Sequence, residues 1–99
     1  MSVIKHFVDG KNYEGSSKRT SKVFNPATGE NISNVILASK ADVDFSVNKA
    51  KNAFYEWSNK PPIIRARVLF KYKEILEKNS DLLTKLIVNE HGKVYEDAK

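Results

Sequence analysis

Phe24-Asn25-Pro26-Ala27-Thr28-Gly29-Glu30 separates two kinds of sequence. Its chemistry is that of a tight turn. The Asn25 side chain can hydrogen-bond to the backbone that follows, and Pro26 presets the φ that the second position of a type I turn needs. Gly29 can take the positive φ that closes a hairpin. None of these groups is a nucleophile, an acid, a base or a metal ligand. Before the turn the chain reads as short strands and loops, and soon after it the pattern becomes helical. Residue chemistry alone therefore predicts a strand layer followed by helices, without a reaction.

Working back from the turn, Lys22-Val23-Phe24 reads as the strand that enters it, and residues 31–38 as the strand that leaves it. Ile32 and Val35 are out of phase for strict alternation, which predicts a bulge near Ser33-Asn34. Residues 14–21 are polar and rich in Gly and Ser, as in an exposed loop. Lys18-Arg19 within that loop could meet a phosphate, but solvated charge is the simpler reading. Earlier still, Asp9-Gly10 lies between two strand-like arms, His6-Phe7-Val8 and Lys11-Asn12-Tyr13. That is the signature of a type I′ hairpin. Two hairpins cannot stabilise themselves, so a covering layer is required.

Working forward, Ser39 is placed to cap a helix, with Asp42 three residues on as a weaker form of the capping box. Val43, Val47, Ala50, Phe54 and Trp57 then recur at alternating spacings of four and three. A Phe/Trp stripe could serve as a ligand platform, but this spacing predicts core. Asn59-Lys60-Pro61-Pro62 breaks the helix, because proline is tolerated only in a first helical turn. A second helix is expected from Ile63 to about Lys78, with Val68, Leu69, Tyr72, Ile75 and Leu76 inward. Arg65 and Arg67 near its start could clamp an anion, yet such side chains more often tie neighbouring segments together. Asn79 or Ser80 should cap a third helix that buries Leu82, Leu83, Leu86 and Ile87. Gly92 suits its left-handed end, and His91 and Lys93 suit the negative end of its dipole. Residues 94–99 begin another helical pattern without a terminator, which predicts that they belong to a longer polypeptide.

Composition narrows the chemistry. The chain has 99 residues, 40% of them hydrophobic and 29% charged, in keeping with a small globular segment. With no cysteine there can be no disulfide, no thiolate nucleophile and no cysteine-ligated zinc. His6 and His91 are too far apart in sequence to suggest a metal site. The net charge of +5 comes from lysines interleaved with Glu and Asp, without a recognition helix or an aromatic RNA-binding motif. A nucleic-acid partner is therefore not expected. No apolar run approaches the roughly 20 residues that cross a bilayer. Residues 1–7 carry no apolar leader, so the expectation is a cytoplasmic protein without a membrane partner. The four glycines fit turns or caps and not a phosphate loop. Asp42/Asp44 and Glu96/Asp97 read as solvated carboxylates. Glu90 and His91 are about 100° apart on a helix, and a lone histidine at a helix end reads as a cap. No catalytic, cofactor-binding or metal-binding residue is assigned in these 99 residues.

The succession of features nonetheless resembles the aldehyde dehydrogenase superfamily. Phe7-Val8-Asp9-Gly10-Lys11 resembles that family's F-I-N-G-K opening, and Asn25-Pro26-Ala27-Thr28-Gly29-Glu30 its N-P-A-T-G-E turn. Ala38-Ser39, the Asp42/Val43 helix, Phe54 and Trp57, Arg65, and Glu90-x-Gly92-Lys93 follow in the family's order. Residues 61–71, residues 90–93 and residues 19–24 look most like the CoA-acylating methylmalonate-semialdehyde dehydrogenases. The resemblance covers nearly the whole chain. It implies an α/β enzyme of roughly five times this length, with a Rossmann-like NAD domain, a catalytic domain and an oligomerisation strand pair. These 99 residues would be two β-hairpins and about three helices, the incomplete N-terminal part of the NAD-binding domain. Similar enzymes oxidise methylmalonate or malonate semialdehyde with NAD, transfer the acyl group to CoA and release CO₂, a step of valine catabolism. The implied assembly is a homo-oligomer, dimer or tetramer, and the family's catalytic Cys, Glu and Asn lie beyond Lys99, so this part would be inactive alone. A non-acylating aldehyde dehydrogenase is the alternative within the family. Outside it, the competing reading is a free-standing α+β module whose apolar faces dock a partner.

Overall fold

In a computed structural model of the chain, residues 2–99 are described; Met1, at the head of the stretch read for a leader, lies outside them. The strands are β1 (Ser2–Ile4), β2 (His6–Val8), β3 (Lys11–Tyr13), β4 (Thr20–Phe24) and β5 (Asn31–Ile36). The helices are α1 (Lys40–Asn59), α2 (Pro62–Lys78), α3 (Ser80–His91) and α4 (Tyr95–Ala98). Contacts divide them into two compact units. The first holds the strands and residues up to Ser58, and the second combines Asn25–Glu30 with Asn59–Lys99.

In the first unit β2 and β3 pair antiparallel, with His6 opposite Tyr13 and Val8 opposite Lys11. Asp9 has φ 56° and Gly10 φ 75°, so both central residues take the positive φ expected of a type I′ turn. Strands β4 and β5 pair antiparallel, as expected. A third strand joins them: β1 lies parallel to β5, with Ser2 opposite Ser33 and Ile4 opposite Val35. The sequence gives no sign of β1, because its partner is distant in the chain and no turn signal joins the two. The bulge also moves. Val23 faces Ser33 and Phe24 faces Asn31, so the extra residue is Ile32 and not Ser33-Asn34. Placing it at Ile32 leaves that side chain exposed and turns the small Ser33 inward.

The second unit contains the Asn25–Glu30 turn and the three later helices. The turn is one residue wider than a type I turn: Gly29 N–H donates to the Asn25 carbonyl at 2.7 Å, and Asn25 N–H to the Glu30 carbonyl at 2.8 Å. Ala27 N–H donates to Asn25 Oδ1 at 2.9 Å, the local bond expected of an Asn before Pro. Helix α3 starts after Asn79, whose side chain does not cap it. The Asn79 amide donates instead to the Ile75 carbonyl at 2.8 Å, satisfying the end of α2. Gly92 ends α3 in the left-handed region at φ 76°, and its N–H donates to the Val88 carbonyl at 2.9 Å. Tyr95 Oη donates to Asp81 Oδ1 at 2.7 Å and so ties α4 to the first turn of α3.

The Pro26 ring packs against Gly92: a Cβ on Gly92 would lie 3.3 Å from Pro26 Cγ. Two of the sequence landmarks, the turn and the helix end, are therefore one structural junction. Gly92→Ala is expected to cost about 1–2 kcal/mol, since an L side chain resists left-handed φ and Pro26 must also give way. Hydrogen exchange at the Gly92 amide and the last turn of α3 should speed up by roughly 5–30-fold.

The amphipathic stripes were expected to be core, and here the structure differs. Among the described residues no hydrophobic side chain is buried; the buried residues are Ser33, Asp42 and Thr84. On α1, Val47 and Phe54 are each 60% exposed, and Val43 and Trp57 are exposed with them. Val68, Leu69, Tyr72, Ile75 and Leu76 of α2 and Leu82, Leu83, Leu86 and Ile87 of α3 are likewise exposed. The helices form with the predicted periodicity, but these residues supply no second apolar layer to cover them. Thr84 reaches burial by donating its hydroxyl to the Ser80 carbonyl one turn back, at 2.7 Å.

Candidate functional site

The most constructed polar site is centred on Asp42, which is 2% exposed. The capping box is reciprocal. Ser39 N–H donates to Asp42 Oδ2 at 2.8 Å, and Asp42 N–H donates to Ser39 Oγ at 3.2 Å. The other carboxylate oxygen gathers the strand half of the first unit. Asp42 Oδ1 accepts from Tyr13 Oη at 3.0 Å, from Ser16 N–H at 2.8 Å and from Ser16 Oγ at 3.2 Å. Ser16 and Ser39 hydroxyls also meet at 2.8 Å. One carboxylate thus fixes the end of β3, the loop after it and the start of α1. Gly15 makes this approach possible: it sits at φ 77°, and a Cβ there would lie 2.8 Å from Asp42 Oδ2.

Aromatic and ionic contacts surround the hub. The Tyr13 ring stacks on Phe45 with centroids 4.8 Å apart, and Lys49 Nζ lies 5.4 Å over the Phe45 ring. Lys49 also pairs with Asp9 at 3.5 Å, which ties the hairpin turn to α1. On the other side of the hairpin Lys5 pairs with Glu14 at 2.8 Å and lowers the Glu14 pKa. His6 Nε2 is buried without a hydrogen-bond partner. Two clefts of about 320 and 370 Å³ open between β2 and α1, and Phe7 lines both.

This arrangement is a lock and not a reactive centre. The Ser39 N–H above all, then Ser16 N–H and the Ser39 and Tyr13 hydroxyls, hold the Asp42 carboxyl far below the usual carboxylate range, against an opposing push from burial. A carboxylate so stabilised is a poor proton acceptor at neutral pH, so Asp42 is unsuited to general-base work. The same bond to Asp42, helped by burial and by the carboxylate's charge, raises the Tyr13 pKa. Because the folded-state pKa of Asp42 is depressed, its stabilisation is complete above the unfolded value of about 4 and is lost as pH falls below it. We expect Ser16 and Ser39 amide protection to hold at pH 6 and to decline as the solution is acidified below about pH 4, read by NMR-detected exchange.

The residues weighed as candidates fall elsewhere. Arg19 donates from its guanidinium to the Ala38 carbonyl at 2.8 Å, tying segments together as such side chains commonly do. Arg65 Nε is buried without a hydrogen-bond partner. His91 lies exposed in the last turn of α3. Asp44 is exposed and pairs with Lys40 at 2.9 Å, whereas its neighbour Asp42, grouped with it as solvated, is the buried hub. The Ser39-x-x-Asp42 box was the signal that could have separated them. Among the described residues no group of three or more His, Cys, Asp or Glu side chains could hold a metal ion, and no helix is long and apolar enough to cross a membrane.

With this geometry in place, comparison with known proteins is informative. The aldehyde dehydrogenase family profile matches residues 13–99. A malonate-semialdehyde dehydrogenase of Geobacillus kaustophilus is 43% identical over 95 residues, covering 96% of this chain and 20% of the relative. A solved methylmalonate-semialdehyde dehydrogenase of Oceanimonas doudoroffii superposes with a TM-score of 0.94 at 43% identity, over 99% of this chain and 20% of that one. A structure from Sinorhizobium meliloti 1021, described as a methylmalonate-semialdehyde dehydrogenase and complexed with NAD, gives a TM-score of 0.93 at 44% identity, over 97% and 20% of the two chains. The chain therefore spans about one fifth of the length of the relatives it matches. A family profile that extends over most of the residues, and a backbone that superposes nearly end to end on solved members, lead to one conclusion: the chain belongs to the aldehyde dehydrogenase family.

Proposed function

We propose that this chain is the N-terminal part of the NAD-binding domain of an NAD-dependent, CoA-acylating semialdehyde dehydrogenase. The observation that carries the reading is the 41–43% identity, over nearly the whole chain, to several malonate-semialdehyde dehydrogenases. The complete enzyme would oxidise methylmalonate or malonate semialdehyde, reduce NAD, pass the acyl group to CoA and release CO₂, giving propionyl-CoA or acetyl-CoA. On this reading it serves valine catabolism in the cytoplasm as a homo-oligomer, dimer or tetramer, with neither nucleic acid nor membrane as a partner.

The reading assigns no catalytic, cofactor or metal role to residues 1–99. Gly10, Gly15, Gly29 and Gly92 serve a hairpin, a loop, a turn and a helix end, which leaves no glycine-rich cradle for a pyrophosphate. NAD and the nucleophile are assigned to polypeptide beyond Lys99, and this part alone is inactive. What residues 1–99 contribute is scaffold: the Asp42 lock and the Pro26–Gly92 junction.

Reading the gene past the codon for Lys99 tests this directly. The expected continuation carries a glycine-containing NAD segment and a catalytic cysteine. A stop codon soon after Lys99, or a continuation lacking both, would refute the reading.

A further inference from the structure

We draw no further inference here: the strongest candidate, the apolar trough between β2 and α1 lined by Phe7, Val43 and Val47, is an unpartnered face, and nothing in the structure shows what covers it.

Discussion

Asp42→Ala is expected to unlock the first unit. The substitution removes the acceptor for Tyr13 Oη, Ser16 N–H and Ser39 N–H together, and leaves two backbone donors without partners. It also removes the carboxylate half of the capping box that starts α1, while the backbone N–H of residue 42 keeps Ser39 Oγ as its acceptor. Amide exchange at Ser16 and Ser39 should accelerate by about 100-fold or more, because donors that lose a charged acceptor return to solvent. Asp42→Asn keeps one carbonyl oxygen and should show a smaller change. Lys40→Ala removes only an exposed pair with Asp44 and is expected to change little. If Asp42→Ala left both amides as protected as in the unmodified chain, the role given to this carboxylate would be wrong.

The second large effect concerns the isolated chain. No hydrophobic residue among those described is buried, and long stripes of α1, α2 and α3 face water. Apolar burial is the main favourable contribution to folding, and cooperative melting depends on a shared core. The isolated 99-residue chain should therefore be helical by circular dichroism yet melt broadly, bind hydrophobic dyes and tend to aggregate. A sharp calorimetric transition, with calorimetric and van't Hoff enthalpies equal, would favour the free-standing module instead.

Local chemistry was legible in the sequence wherever a few adjacent residues determine the outcome. Asp9-Gly10 demanded positive φ at both positions and has it. Ser39 and Asp42 lie one helical turn apart, and their side chains and amides pair reciprocally. Gly92 closes α3 in the left-handed conformation for which only glycine is unstrained. Features that depend on distant residues were not legible. Strand β1 pairs with β5 in parallel, without a connecting turn to announce it. The bulge falls on Ile32, where the pairing of Val23 and Phe24 decides, and not on the next two residues.

Burial was misjudged in both directions for a single reason. Periodicity shows which face of a helix is apolar, but not whether anything covers it. The Val43–Trp57 stripe was thus read as core and is exposed. Asp42, a charged residue beside another Asp, was read as surface, yet it is buried because Gly15 lets the loop close over it. The functional reading rests on family membership and not on a site.

A coupled assay of the full-length protein tests the central claim most directly. NADH formation is followed with methylmalonate semialdehyde and NAD, with and without CoA, and the acyl product is identified by mass spectrometry. The account predicts NADH formation that requires the semialdehyde, with propionyl-CoA and CO₂ produced when CoA is present. Failure to reduce NAD with methylmalonate semialdehyde, malonate semialdehyde or any simple aldehyde would contradict it.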